Sequence, residues 1–250
     1  MIRALPSNVC AVIPAHEEAA AIARVVRGAI HLLGSVIVVD DGSTDGSAEL
    51  ARREGALVIR WARRRGKGAA LRHGLGEAFA RGFDAAVTLD ADGQHLPQEI
   101  PRFLEAYQRG ADLVLGDRSE GFALMPVARR AANLALTAAL RPFVGPDLKD
   151  SQCGFRLITA RLYASMRLAC EHFDLETEVL LAAARLEVRP VHVRVSTVYG
   201  GERSKIRPIA DGGRFVRLLV RAALGALPAG RIASRAAHGV APAGRGVRAG

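Results

Sequence analysis

The chain has 250 residues, 50% of them hydrophobic, with a mean hydropathy of +0.13, which is enough to bury one sizeable core and predicts a globular chain, not a disordered one. No apolar run reaches the roughly eighteen residues of a membrane span, and the opening MIRALPSNVCAVIPAHEE lacks the charge, long apolar stretch and cleavage site of a signal peptide, so a cytoplasmic location is expected. The net charge of +10 is unevenly placed: from Gly201 onward ten Lys/Arg face only Glu202 and Asp211, which puts the attraction for an anionic partner at the C-terminal end.

NVCAVIP reads as a strand, EEAAAIARVVRGAIHLL as a helix with one apolar face, and SVIVVDDGSTDGS as a second strand running into a turn. The pattern repeats with a helix at GSAELARREG, a strand at ALVIRW, a helix at GKGAALRHGLGEAFARG and a strand at DAAVTLD. A helix from Pro97 to about Tyr107 and the strand DLVLG follow. Beyond Pro126 the spacing predicts a helix to about Leu140, a loop to DSQCGFRL, helices at TARLYASMRLA and LETEVLLAAARL, the alternating stretch VRPVHVRVSTVY, and a helix at GGRFVRLLVRAALGAL. Apolar strands alternating with helices predict an α/β fold with a mostly parallel sheet covered on both faces. Residues 1–227 are expected to form one domain, and the Ala/Gly/Arg-rich residues 228–250 a basic disordered tail.

In such sheets ligands gather at the carboxyl ends of the strands, where PAHEE, DDGSTDGS, DADGQH and GDRS fall. Asp90 and Asp92 stand at one such end with no nearby base, and buried carboxylates need water, an arginine or a metal. Two apart in an extended segment, they lie on one side and suit a shared Mg²⁺ or Mn²⁺ completed by waters and substrate phosphates, with Gln94 as a further oxygen ligand; the alternative is a plain turn capped by Asp90. The substrate this implies is a phosphate ester, a diphosphate above all. Asp40 and Asp41, at the neighbouring strand end, are placed to accept from a ribose or a base edge, or belong to an acidic turn. No G-x-G-x-x-G or P-loop occurs; RRRGKGAALRHG, with Arg65 and Lys67, is either an anion site at a glycine-rich helix start or a solvated basic loop. His95 is read as turn filler, and Cys10, Cys153 and Cys170 as reduced core or site-wall residues. Nucleic acid is disfavoured despite a pI of about 10.6, because aromatics are 5% and no recognition motif is present.

Taken in order, VIPAHEE, VVDDGSTDGS, GKGAALRHGL, LDADGQH, LVLGDRS and DSQCGFRL resemble family 2 glycosyltransferases of the GT-A fold, specifically the branch similar to dolichyl- or polyprenyl-phosphate sugar synthases. The resemblance spans about Val9 to Lys205. It implies a nucleotide-sugar donor of the UDP or GDP type, a polyprenyl phosphate acceptor, a divalent metal and inversion at the sugar. It implies that Pro14, Ala15 and Glu17 flank the donor nucleotide, that Asp41 with Asp40 contacts its base or ribose, and that Asp90, Asp92 and Gln94 hold the metal. Arg118 resembles the arginine near the donor diphosphate and acceptor phosphate. Asp150 resembles the aspartate near the reacting centre, a base for an alcohol acceptor or an orienting group for a phosphate. Arg203 and Lys205 partly resemble a segment that closes over donor phosphates. His16 and Glu17 depart from the commoner Tyr-Asn or Asn-Glu, so nucleotide preference does not carry over.

Arg214, Arg217 and Arg221 fall at helical spacing among Phe215, Val216, Leu218, Leu219 and Val220, a basic amphipathic helix able to lie on an anionic membrane surface or to pack on the core. PVARRAANLALTAALRPF is a second candidate, with Arg129 and Arg130 able to meet a phosphate. Peripheral attachment to the inner face of the cell membrane is therefore expected. Transfer to a soluble or glycan hydroxyl, and a non-catalytic nucleotide-sugar-binding protein, are the alternatives.

Overall fold

The computed structural model describes residues 8–172, 174–196 and 208–226. In chain order the first half contains β1 (Val9–Ala15), α1 (Ile22–Leu33), β2 (Val36–Asp40), α2 (Ser47–Arg53), β3 (Leu57–Arg60), α3 (Lys67–Ala80) and β4 (Ala85–Thr88). It continues through α4 (Ile100–Gln108), β5 (Leu113–Asp117), α5 (Val127–Val144), β6 (Arg156–Thr159), α6 (Ala160–Ser165), α7 (Leu175–Arg185), β7 (Val191–Arg194) and α8 (Pro208–Ala223). The seven strands form one sheet in the order β3-β2-β1-β4-β6-β5-β7. All neighbours are parallel except β6, which runs antiparallel to both β4 and β5.

The unbroken apolar runs of the strands follow from a sheet with two covered faces. Along β1, Val9, Ala11 and Ile13 enter one core with Ile22, Val26, Phe103 and Leu104, while Cys10 and Val12 enter the other with Leu71, Leu75, Leu140 and Leu180. A period of two sends successive side chains to opposite layers, so every position must be apolar. Helix α1 buries Ile22, Val25, Val26 and Ala29, one stripe at 3.6 periodicity, and stops where Gly34 turns left-handed and its N–H bonds to the Ile30 carbonyl.

The second half departs from the expected pattern in three places. The stretch after DSQCG, expected as part of a loop motif, contributes the central strand β6; Arg156 pairs across to Thr88 on one side and Leu115 on the other. The helix expected over TARLYASMRLA ends at Ser165, where Met166 turns extended. Helix α5 runs past Leu140 to Val144 with Pro142 inside its last turn, and it ends where the Gly145 N–H bonds to the Arg141 carbonyl. Among the described residues no helix is long and apolar enough to cross a membrane. The cysteines are free thiols, and burial pushes Cys10 and Cys153 up to about 12, which leaves them inert. Arg203, Lys205 and the basic segment 228–250 lie outside the described residues.

Candidate active site

Strands β2, β1 and β4 are neighbours whose carboxyl ends open on one side of the sheet, where the order turns back around β1. Pro14 and Ala15 close β1 opposite Val39 and Asp40. Glu17 follows at φ 54, a left-handed conformation that non-glycine residues rarely adopt. It is held there because its N–H donates to Ser43 Oγ (3.0 Å) while its own carboxylate accepts from the Thr44 N–H (2.8 Å). Glu18 and Ala19 donate in the same way to Ser47 Oγ (2.8 Å) and Asp45 Oδ2 (2.9 Å). Two strand-end loops are thus stitched into one rim by the protein's own hydrogen bonds.

Asp40 and Asp41 lie beneath that rim, both buried. Asp40 accepts from the Ser43 N–H (3.2 Å) and stands 3.3 Å from Arg60 Nε. Asp41 accepts from the Arg65 N–H (2.5 Å) and the Gly66 N–H (2.9 Å), so the anion at the glycine-rich start of α3 is the protein's own carboxylate. The fit is close: Gly42 has φ +75, and a Cβ there would meet the Arg63 and Arg64 backbone at 2.9 Å. Arg65 itself folds back over the Trp61 ring, 4.7 Å from its centroid.

The D-x-D turn sits one strand over. Lys67, at the start of α3, bridges Asp90 (2.7 Å) and Glu176 (2.9 Å), and that pair raises its pKa further despite burial. Burial alone would raise the Asp90 carboxyl, but Lys67, helped by His95 and Arg118, holds it down at about 2. The Asp90 carboxylate rests on Gly154 of the DSQCG segment, where a Cβ would come within 2.9 Å of Oδ2. Asp92 Oδ1 accepts the Gln94 N–H (3.0 Å), an aspartate turn that closes DADGQ. His95, buried beneath, accepts the Asp90 N–H at Nδ1 (3.2 Å), places Nε2 3.8 Å from Cys153 Sγ and lies tilted against the Phe155 ring, 5.3 Å between centroids. Burial outweighs Asp90 and pushes its imidazole down to about 4, so it is a neutral turn-closing group, in keeping with the turn-filler reading.

Arg118 follows β5 and meets Asp150 through two parallel bonds, Nε to Oδ2 at 2.7 Å and Nη2 to Oδ1 at 3.1 Å. Oδ1 also accepts from Asn133 Nδ2 (3.0 Å) and the Gln152 N–H (3.0 Å). Burial would raise the Asp150 carboxyl, yet Arg118, Asn133 and Gln152 together hold it below the ordinary carboxylate range. Arg129 and Arg130, half-exposed in the first turn of α5, have no ion-pair partner among the described residues.

Sequence reasoning did not single out Glu176, Asn133, Thr137 or Arg156. Glu176 stands in an acidic first turn of α7 and looks like a helix-dipole residue. Arg156 is the largest fully buried side chain among the described residues, and it donates to the Cys153, Ser151 and Glu176 carbonyls at 2.6–2.8 Å, folding the DSQCG segment around itself. Nothing in FRLI marks it apart from a charge inside an apolar run. For Asn133 and Thr137 the signal was available: two polar residues at i and i+4 in a stretch, residues 131–140, otherwise of alanine and leucine.

As a donor set Asp90, Asp92 and Gln94 offer hard oxygens only, and among the described residues no three His, Cys, Asp or Glu side chains gather as a metal cluster. That chemistry fits Mg²⁺ or Mn²⁺, which take one or two carboxylates and complete their shell with water and phosphate oxygens.

Residues 10–164 match the family described as glycosyl transferase family 2. The chain is 30% identical over 224 residues to glycosyltransferase AglJ of Haloferax volcanii, covering 87% of this chain and 73% of that one. It is 32% identical to the undecaprenyl-phosphate mannosyltransferase of Micrococcus luteus, over 65% of this chain and 71% of that one. Among solved structures, glucosyl-3-phosphoglycerate synthase of Mycobacterium tuberculosis superposes with a TM-score of 0.65 at 26% identity, over 88% of this chain and 80% of that one. That enzyme has also been crystallised with Mn²⁺, uridine diphosphate and phosphoglyceric acid.

Proposed function

The chain belongs to glycosyl transferase family 2, and from that premise we propose that it moves a sugar from a nucleoside-diphosphate donor of the UDP or GDP type to a polyprenyl phosphate at an anionic membrane surface. The observation that carries the choice of acceptor is the state of Asp150. An alcohol acceptor needs a base, and the carboxylate best placed for that work already takes four hydrogen bonds and sits below its ordinary pKa. A phosphate acceptor is ionised near neutral pH and needs only cations to place it. Arg118, its plane fixed by Asp150, with Arg129 and Arg130 on the next helix, supplies them.

In this reading the prebuilt rim of Glu17, Ser43 and Thr44, with Pro14, Ala15, Asp40 and Asp41 at its base, receives the nucleoside end of the donor. Asp90, Asp92 and Gln94 would hold the divalent cation, which when bound draws negative charge from the departing diphosphate. Lys67 keeps Asp90 ionised and oriented. An oxygen of the acceptor phosphate attacks the anomeric carbon from the face opposite the diphosphate. The new C–O bond forms as the bond to the β-phosphate oxygen breaks, and the electron pair leaves with the nucleoside diphosphate, so the sugar inverts. Arg118 stabilises the charge in flight.

The test is transfer of labelled sugar from a panel of UDP- and GDP-sugars to a polyprenyl phosphate with Mn²⁺ or Mg²⁺. Lipid-extractable label is expected, reduced about 100-fold or more in Asp92→Ala. Metal-dependent donor binding or hydrolysis with no lipid label would reject the acceptor and favour a hydroxyl compound in its place.

A further inference from the structure

We infer that Asn133 and Thr137, on the inner face of α5, are positioning residues that align Arg118 through Asp150, so that the acceptor side of the site is set from the helix that also carries Arg129 and Arg130; the acceptor's identity as a phosphate rests on the function proposed above.

Helix α5 is not an ordinary covering helix. The inner face that buries Leu140 and Val144 in the core also buries Asn133 and Thr137, 4% and 1% exposed, while Val127 and Leu134 on its outer side are 73% and 46% exposed. A helix that only covered a core would carry apolar side chains at 133 and 137. Burying an amide and a hydroxyl is costly unless both are bonded, and here the bonds run in one direction. An ionised carboxylate can only accept, so the 3.0 Å contact to Asp150 fixes Asn133 with its NH₂ toward Asp150 and its oxygen toward Thr137. Thr137 must then give its single proton to Asn133 Oδ1 (3.2 Å), which makes Ser151 the donor in the 2.9 Å contact between the two hydroxyls. Ser151 in turn accepts from Gln152 Nε2 (2.9 Å), and Thr137 accepts the Ser151 N–H (3.1 Å). A chain of donors from Gln152 through Ser151, Thr137 and Asn133 therefore ends on the carboxylate whose other side grips Arg118. Asp150 Oδ1 is held by Asn133 as well as by the Gln152 backbone, and with it the plane of the guanidinium.

The experiment compares full-length wild type, Asn133→Ala and the near-isosteric Thr137→Val, with two readouts. Hydrogen exchange of the Arg118 Nε–H, followed by ¹⁵N-arginine NMR, is expected to speed up about tenfold or more in Asn133→Ala and in the same direction in Thr137→Val. The KM for polyprenyl phosphate is expected to rise about tenfold, with the donor KM within about twofold of wild type. A folded Asn133→Ala with unchanged Arg118 exchange overturns the inference, as does a loss shared equally between donor and acceptor, which is what general loosening would give. Should Asn133→Ala fail to fold, Thr137→Val decides. Should wild type put no label into lipid, the proposed acceptor fails, while the Arg118 exchange still decides whether α5 positions that arginine.

Discussion

At the scale of single residues, the site depends on carboxylates whose partners lie far along the chain. Asp150 is fully buried and held below its usual pKa, so in the unfolded chain it takes up a proton at a higher pH than in the fold. The stability it contributes is complete above the unfolded value near 3.8 and is lost as pH falls toward and through the lower folded value. Asp150→Asn removes this dependence and leaves Arg118 without its counter-charge, at a cost of about 3 kcal/mol near neutral pH. Chemical denaturation between pH 7 and pH 3 should show the variant less stable throughout the upper range, with a flatter fall on the acid side. Equal acid slopes in the two proteins would mean that Asp150 titrates alike folded and unfolded. Motif positions drew attention to these carboxylates, but not to what each one touches. Asp41 binds the loop of Arg65 and Gly66, and Asp150 binds an arginine 32 positions away. Neither separation leaves a trace in local spacing, because the pairs form only when two strand ends are brought side by side.

At the scale of elements, α3 carries a contrast that sequence cannot see. Gly74 and Gly76 stand two residues apart in one helix, and helix propensity treats them alike. A Cβ on Gly74 would come within 2.6 Å of Val12 and 3.1 Å of Val39, whereas one on Gly76 would meet only the Tyr163 hydroxyl at 3.7 Å. Gly74→Ala is therefore expected to lift α3 off β1 and β2 and to lose about 1–3 kcal/mol by overpacking. Gly76→Ala should gain about 0.5–1 kcal/mol from the helix backbone alone. Urea titrations of the two variants check both signs, and a stable Gly74→Ala would mean that the helix stands further from the sheet. The parallel strands up to β5 were legible because each is a short apolar run between a helix and a polar turn. Strand β6 was not, since four residues, RLIT, between a loop motif and a helix carry no period of their own. Their strand character comes from lying between β4 and β5, both already in place.

At the scale of the whole molecule, two outward faces lie close together. Helices α5 and α8 both pack on α7, and Phe143, Leu181 and Ala222 from the three helices line one small cavity. Phe215 and Leu218 face inward from α8, in accord with the core-packing alternative, but Val216, Val220 and Leu224 remain 58%, 51% and 77% exposed, beside Arg217 and Arg221. Such a stripe suits a headgroup region, where each cation contributes about 1 kcal/mol and apolar side chains reach the acyl boundary. Binding to vesicles containing anionic lipid is therefore expected, and it should weaken about tenfold or more in Val216→Asp with Val220→Asp, since the added charges oppose both terms. Donor binding and thermal stability should change little, because neither side chain is buried. Salt separates the two contributions. If wild type is released from vesicles by about 0.5 M salt, where screening reaches only a few ångströms, the contact is electrostatic only and the apolar stripe has no part in it. If binding survives salt in wild type but not in the variant, the stripe enters the membrane and brings the site beside α5 to the surface where a lipid phosphate would be met.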